Sequence, residues 1–142
     1  MAPDFRLRQR GGPAIRLSML KGRVSALYFW TPRCFRCSKD IQKLEKLVET
    51  YSEHGFIAFV VSTATTPYGD IHPATDKLKT TLPLLYPASQ VNLAPYQLTS
   101  IPTLVLIDAQ GRIAYRYAGD NAPDKADFTT VLNNEFTETS KK

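Results

Sequence analysis

The amino-acid sequence predicts an α/β domain in which a central mixed β-sheet is flanked by helices. Two short, continuous apolar runs, at 24–30 and 56–62, are typical of strands buried on both faces. The segment between them repeats apolar residues at helical spacing, and a strand pair at 103–119 is followed by an amphipathic stretch at 124–136. Because the chain is about one domain long and contains no repeat or long linker, we expect one domain over residues 1–142.

The first predicted element is a β-hairpin. Residues 5–8 and 14–17 alternate between apolar and polar side chains, and the sequence QRGGP between them contains the glycine and proline of a turn. This hairpin would form an N-terminal extension, residues 1–20, ahead of the first central strand.

The next predicted unit is a strand, a helix and a parallel strand. The apolar strand VSALYFW leads directly to the cysteines, and a helix is expected from Cys34 to about His54, with Gly55 suited to end it. The strand at 56–62 would then return parallel to the first through a right-handed crossover. The apolar positions of the helix are Cys37, Ile41, Leu44, Leu47, Val48 and Tyr51.

The sequence pattern is weak for the elements at 73–97 and clear for those at 103–136. At most one helix is expected near 73–81, a short extended piece at 82–87, and one or two helical turns at 88–97. The apolar run TLVLID, the turn residues DAQG and the alternating run RIAYRYAG predict two paired strands. The final helix would direct Phe128, Val131, Leu132 and Phe136 towards the sheet.

Composition and charge narrow the range of functions. Hydrophobic residues at 43% and charged residues at 22% are typical of a folded globular chain, and no apolar run approaches the roughly 20 residues that span a bilayer. Residues 1–36 contain eight Lys or Arg against the single acid Asp4, a charge of +7, so the net +5 leaves −2 for the rest. Without a recognisable binding module or stacking aromatics, we expect no nucleic-acid partner. The basic region would steer acidic partners or lie near anionic lipid head groups.

Both cysteines of the chain, Cys34 and Cys37, lie in the stretch FWTPRCFRCSKD. Two cysteines at this spacing suit reversible disulfide chemistry, half of a zinc or copper site, or chance adjacency. Cys34 follows a buried strand and opens a helix, so backbone N–H groups and the positive end of the helix dipole would favour its thiolate. Arg33 and Arg36 add positive charge nearby. These features favour redox chemistry with Cys34 as the nucleophile.

Cys37 lies one turn further along, on the apolar stripe of the helix, so we expect it to be more buried and less ionised. Cys37 would act as the resolving thiol, which must lose a proton to attack. Asp40, three residues later, is placed to accept or relay that proton. An acid in the first turn that merely complements the helix dipole explains its position equally well.

A metal site would need further ligands. The two histidines, His54 and His72, lie far beyond Cys37 without the compact spacing of zinc ligands, so we expect no metal and no cofactor. A copper site built from the cysteine pair and His72 stays open. A helix end or an exposed loop is the ordinary location for either histidine.

Pro102 immediately precedes a strand that otherwise has the pattern of a central one. A proline there removes a ladder hydrogen bond. The position is easier to explain if the Ile101–Pro102 bond is cis, although a trans proline at the start of a strand is far commoner.

The motifs occur in the order found in a known family. The chain resembles the thioredoxin superfamily, and within it the bacterial TlpA/ResA-type, membrane-facing thiol-disulfide oxidoreductases, over nearly its whole length. The resemblance implies a thioredoxin-like fold with an added N-terminal hairpin. The stretches that carry it are DFRLRQRGGPAIRLSMLKGRVSALYFW, FWTPRCFRC and SIPTLVLIDAQGRIAYRYAG.

The resemblance also implies roles for individual residues. Cys34 corresponds to the attacking thiol and Cys37 to the resolving thiol, while Asp40 stands where related proteins have a glutamate implicated in proton chemistry. Pro102 corresponds to the cis proline that faces the cysteines. The substrate-binding residues would be Trp30, Arg33, Phe35, Arg36, Ile101 and Pro102.

The chain departs from this family at the cysteines. An aromatic residue usually precedes the first cysteine and a proline lies between the two, whereas here these places hold Arg33 and the pair Phe35-Arg36. Extra positive charge stabilises the reduced thiolate and makes the disulfide more oxidising. Gln42 also replaces a proline that commonly bends this helix, so a straighter helix is expected. The direction of electron flow stays open.

Two alternatives use the same cysteines. A peroxiredoxin-like peroxidase is suggested by Thr31 in TPRC, although Leu27 stands where that motif needs proline. A copper-binding or assembly protein would hold metal at the pair without turnover.

The resemblance further implies partners and a location. The partners would be protein substrates with cysteines or disulfides and a redox protein that supplies or accepts electrons, and the chain would act as a monomer. The N terminus lacks the apolar core of a signal peptide, which fits a cytosolic protein or a targeting segment outside this sequence. The resemblance favours the periplasm, with a signal or membrane anchor outside this sequence.

Overall fold

A seven-stranded mixed sheet forms the centre of the protein, as predicted. The computed structural model describes residues 6–9, 12–30, 37–62, 80–87, 96, 102–119, 123 and 125–140. The strands are β1 (Arg6–Gln9), β2 (Gly12–Arg16), β3 (Ser25–Trp30), β4 (Ile57–Ser62), β5 (Leu84–Pro87), β6 (Thr103–Ile107) and β7 (Ile113–Ala118). Among these described residues, the helices are α1 (Cys37–Thr50) and α2 (Ala126–Ser140), and two 3₁₀ helices span Leu17–Leu20 and Ser52–His54.

The strand order is β2-β1-β5-β4-β3-β6-β7. Strand β3 pairs parallel with β4 and antiparallel with β6, and β4 pairs parallel with β5. All six residues of β3 are buried, which agrees with the continuous apolar run that predicted a central strand. The predicted strand–helix–parallel strand unit is confirmed as β3–α1–β4.

The N-terminal hairpin is confirmed, and it is part of the main sheet. Strands β1 and β2 pair antiparallel with Leu7 opposite Ile15. The other edge of β1 pairs antiparallel with β5, where Leu7 lies opposite Pro87. Leu7 is fully buried as a result. The sequence pattern predicted the hairpin but contained no sign of its pairing with a strand almost eighty residues away.

The predicted end of α1 was wrong by four residues. The α-helix ends at Thr50, and the N–H of His54 bonds to the carbonyl of Tyr51, which is the shorter spacing of a 3₁₀ turn. Gly55, at φ 75°, then donates its N–H to the carbonyl of Ser52. The glycine therefore stops the 3₁₀ turn, and the tightening of the backbone before it was not visible in the apolar spacing.

The two faces of β3 belong to different halves of the core. Ala26, Tyr28 and Trp30 lie on the face that α1 and α2 cover, whereas Leu27 and Phe29 lie on the opposite face. That opposite face packs against Leu17, Leu20 and Tyr96. The alternation follows from the period of two along a strand.

Helix α2 confirms the predicted apolar face and continues four residues beyond its predicted end. Phe128, Leu132 and Phe136 are buried against the sheet, and Val131 is half-buried beside them. No helix within the described part of the chain is long and apolar enough to cross a membrane.

The turn between β6 and β7 is built on Asp108, as the DAQG sequence predicted. The Asp108 carboxylate accepts the N–H groups of Gln110 and Arg112, and Gly111 has φ 86°. Strand β5 confirms most of the extended piece predicted at 82–87. The helix predicted near 73–81 and the helical turns predicted at 88–97 lie almost entirely outside the described residues.

Candidate active site

The site lies where β3 ends and α1 begins. Cys37, the first residue of α1, is fully buried and takes part in a disulfide. The expectation that this cysteine lies on the buried stripe of the helix is therefore confirmed. Cys34, Arg33, Phe35 and Arg36 lie outside the described residues, so their predicted roles stay predictions.

The surroundings of Cys37 are apolar. It belongs to the core cluster on the helix-covered face of the sheet, with Trp30, Ile41 and Leu44. A sulfur in this position has no direct access to bulk water. Loss of a thiol proton there requires an acceptor inside the protein.

Asp40 is the carboxylate placed in this interior. Only 2% of the residue is exposed, and its Oδ2 accepts a hydrogen bond of 2.6 Å from the hydroxyl of Tyr28. This is a normal distance for a hydrogen bond between a hydroxyl donor and an oxygen acceptor. Burial of an acid is costly, and an acid that only complements the helix dipole gains nothing from it. Asp40 is therefore not a solvent-exposed acid of the first turn, and its role in proton transfer stays a prediction.

Tyr28 is the site residue that sequence reasoning missed. It lies within β3, where we treated the whole run VSALYFW as apolar core. The sequence did contain a signal, because a buried tyrosine usually finds a hydrogen-bond partner for its hydroxyl. Asp40 is that partner, and the two residues are 12 positions apart in the chain.

Pro102 lies next to the end of β3. Thr103, the first residue of β6, pairs with Phe29, so Pro102 is level with Trp30 in the neighbouring strand. Pro102 is buried, and its carbonyl accepts the N–H of Gly119 at 2.8 Å. This register places Pro102 beside the end of the strand that leads into the cysteines, and its predicted position facing them stays a prediction. Its cis geometry stays a prediction.

Of the two remaining residues predicted to contact the substrate, Trp30 and Ile101, only Trp30 is among the described residues. Trp30 is only 3% exposed and packs in the same cluster as Cys37, so the described residues leave little of the indole for a partner to touch. Its role in substrate binding stays a prediction. Ile101 lies outside the described residues.

His54, the histidine within the described residues, lies away from the site. His54 is exposed at the end of a 3₁₀ helix, as expected, and its ring stacks on Phe136 with centroids 4.9 Å apart. Among the described residues, no group of three or more His, Cys, Asp or Glu side chains could hold a metal ion. His72 lies outside the described residues.

Comparison with known proteins agrees with this geometry. Residues 1–116 match the AhpC/TSA family. The chain belongs to the AhpC/TSA family. Its predicted place among the thioredoxin-like proteins is confirmed.

The curated proteins to which this AhpC/TSA chain is similar are named thiol-disulfide oxidoreductases. The ResA protein of Halalkalibacterium halodurans is 26% identical over 118 residues, which cover 83% of the chain and 66% of that protein. The ResA protein of Geobacillus kaustophilus is 27% identical over 112 residues, which cover 79% of the chain and 64% of that protein. The chain thus spans slightly less than two thirds of these relatives.

Solved structures confirm the thioredoxin-like fold of this AhpC/TSA family member. An exposed lipoprotein thioredoxin from Streptococcus pneumoniae superposes with a TM-score of 0.78 at 24% identity, covering 92% of this chain and 99% of that one. The thioredoxin domain of a thiol-disulfide oxidoreductase from Bacteroides vulgatus also gives 0.78, at 23% identity and 94% coverage of both chains.

Proposed function

We propose that the chain is a thiol-disulfide oxidoreductase that exchanges disulfides with protein partners through Cys34 and Cys37. The observation that carries the proposal is Cys37, which is disulfide-bonded and fully buried at the start of α1, three residues before the buried acid Asp40. Since the chain contains two cysteines, a disulfide within it can join Cys37 only to Cys34. The names of the curated relatives support the same activity.

The reductive reaction proceeds in two exchanges. The Cys34 thiolate attacks one sulfur of a substrate disulfide, a mixed disulfide forms, and the first substrate thiolate leaves. Cys37 then loses its proton to Asp40 and attacks the Cys34 sulfur, which forms the Cys34–Cys37 disulfide and releases the second substrate thiolate. The substrate gains two electrons and two protons, and a redox partner protein restores the pair by the reverse exchange. Oxidation of a substrate dithiol runs the same steps backwards.

The residues around the cysteines would shape this exchange. By their charge, Arg33 and Arg36 would stabilise the Cys34 thiolate, and with Phe35 they would contact a protein partner. The backbone beside Pro102, at Ile101, would pair with the substrate chain. Trp30 would support the site from within the core.

We further propose that the protein works as a monomer outside the cytoplasm, near the membrane. Support comes from the resemblance to membrane-facing relatives and from the basic region at residues 1–36, whose net charge of +7 would favour anionic lipid head groups. An extracytoplasmic compartment would also suit protein partners that contain disulfides.

Trapping of the mixed disulfide tests the activity. Cys37→Ser, incubated with an oxidised protein substrate, should accumulate a covalent complex through Cys34 that thiol reductants dissolve. Cys34→Ser is the matched control and should form none. Absence of a complex with Cys37→Ser, while the wild type neither reduces insulin nor oxidises a reduced protein substrate, would reject the proposal.

The direction of electron flow has its own measurement. The reduction potential of the cysteine pair, obtained by equilibration with glutathione, should distinguish the two directions. A value near about −270 mV indicates a reductant, and one near about −120 mV an oxidant.

The peroxidase alternative is disfavoured at Leu27. This residue is fully buried in β3 between Phe59 of β4 and Val105 of β6, where the proline of a peroxidase motif would remove a ladder hydrogen bond. Peroxide consumption that requires Cys34 but not Cys37 would favour the peroxidase. Stoichiometric copper retention without insulin reduction would favour the copper protein.

A further inference from the structure

Tyr28 is a residue of the central sheet and lies in the same core cluster as Cys37. Tyr28 lies opposite Val60 of β4 and Leu104 of β6, so its backbone is fixed by neighbours on both sides. Its side chain is fully buried and donates to Oδ2 of Asp40 at 2.6 Å. The position of this donor is therefore set by a strand that is buried at all six residues.

The acceptor is carried by the helix that also carries Cys37. Cys37 and Asp40 are three residues apart in α1, a spacing that makes side chains neighbours on a helix, with Cβ atoms about 5–6 Å apart. Both are buried. The hydrogen bond from Tyr28 thus restrains the rotamer of the carboxylate that the proposed reaction uses as proton acceptor.

We propose that Tyr28 is a positioning residue for the resolving step, an inference that rests on the proposed disulfide exchange. Its O–H donates to the ionised carboxylate and favours that form over the neutral acid, while the surrounding apolar core opposes ionisation. Tyr28 therefore keeps Asp40 ready to take the Cys37 proton. Its hydroxyl proton stays on the phenol throughout.

The step is balanced without a further reactant. The proton of the Cys37 thiol passes to Asp40, the Cys37 sulfur bonds to the Cys34 sulfur, and the bond between Cys34 and the substrate sulfur breaks. The electron pair of that bond leaves with the substrate thiolate. Asp40 then gives its proton to the departing thiolate or to solvent.

Other ionisable groups in the same part of the core would also affect how the rate of the resolving step depends on pH. Within the described residues, β4 and α2 contribute apolar side chains to the core cluster that contains Tyr28 and Cys37. The flanking lysines of α1, Lys39 and Lys43, have exposed side chains. The ionisable members of the cluster or of its half-buried border are Tyr28, Cys37, Tyr51, Tyr115 and Tyr117.

Stopped-flow kinetics with a symmetrical aromatic disulfide tests the proposal, because one coloured thiolate is released at each exchange. The first release reports attack by Cys34, and the second reports resolution by Cys37. Tyr28→Phe should leave the first rate unchanged and slow the second by about tenfold to a hundredfold at neutral pH, as expected for a lost hydrogen bond to a charged group. The second rate should also reach its plateau at a higher pH, because ionisation of the carboxylate becomes harder.

A double-mutant cycle separates this role from a general structural one. Asp40→Asn should slow the second release as well, and Tyr28→Phe should cause no further slowing in that background. Tyr117→Phe is the matched control, since Tyr117 is a half-buried tyrosine of the same cluster on β7 and should leave both rates unchanged.

Three results would overturn the proposal. They are an unchanged second rate and pH profile in folded Tyr28→Phe, equal slowing of both releases, and additive effects of the two substitutions. In each of these three cases, the wild type would still release both coloured thiolates. Failure of the disulfide exchange itself has a different signature, because the wild type would then release only one thiolate or none.

Discussion

The Asp108 carboxylate should contribute far more to stability through the turn it organises than through its ion pair. Its Oδ1 accepts the N–H groups of Gln110 at 3.0 Å and Arg112 at 2.9 Å, and the residue is 7% exposed. Its Oδ2 lies 3.3 Å from Nε of Arg112, whose side chain is 61% exposed. The turn therefore combines two charge-assisted backbone bonds with one solvent-exposed salt bridge.

These contacts set the magnitudes. A hydrogen bond to a charged group contributes about 1.5–3 kcal/mol, and the two turn donors are partly open to water, so Asp108→Ala should cost about 2–3 kcal/mol. For a domain of this size that lowers the melting temperature by roughly 6–12 °C. Arg112→Ala removes only an exposed pair and should cost under about 1 kcal/mol. Asp108→Asn keeps a neutral acceptor and should fall between the two.

Urea unfolding of the three variants at neutral pH measures these differences as free energies of unfolding. The decisive comparison is between Asp108→Ala and Arg112→Ala. If Arg112→Ala loses as much stability as Asp108→Ala, the ion pair rather than the turn bonds accounts for the contribution of the Asp108 carboxylate, and the reasoning is refuted.

Two further predictions concern the core and the tyrosines. Leu44→Ala, at a fully buried position of α1, should cost about 2–5 kcal/mol in urea unfolding, and half-buried Leu47→Ala clearly less; equal costs would contradict the observed burial. Burial, followed by the hydrogen bond to Asp127, raises the pKa of Tyr115 from 10.0 to about 12. Its contribution to stability is therefore complete below pH 10 and is lost as the pH rises to about 12. In ultraviolet titration, the absorbance that Tyr115→Phe removes, measured as wild type minus variant, should ionise near the top of this range, and Asp127→Asn should lower that midpoint only in part. A wild-type-minus-variant difference that ionises near pH 10 would refute the assignment.

Local sequence patterns were sufficient to predict the main strands and helices and part of the candidate site. The continuous apolar runs predicted β3 and β4 because a strand buried on both faces needs no polar alternation. Apolar spacing placed Cys37 on the buried side of α1, and the residues DAQG predicted the turn at Asp108. Each of these conclusions depends on neighbours within one or two turns of the chain.

Long-range packing decided what those patterns could not. Helix α1 ends at Thr50 because the backbone tightens into a 3₁₀ turn before Gly55. The spacing of apolar residues does not reveal this change in backbone hydrogen bonding. The hairpin joins the sheet because β1 pairs with β5, an arrangement that no local repeat encodes. Asp40 could be a solvated first-turn acid or a buried proton acceptor, and spacing alone supports both.

The Tyr28–Asp40 hydrogen bond shows the division most clearly. The sequence determines that β3 is buried, that α1 follows it, and that an acid comes three residues after Cys37. Only the packing of α1 across β3 brings the hydroxyl to the carboxylate, because the contact depends on the angle and height at which the helix crosses the strand. The sequence pattern predicts which side chains are buried, whereas the tertiary structure shows which of the buried side chains are in contact.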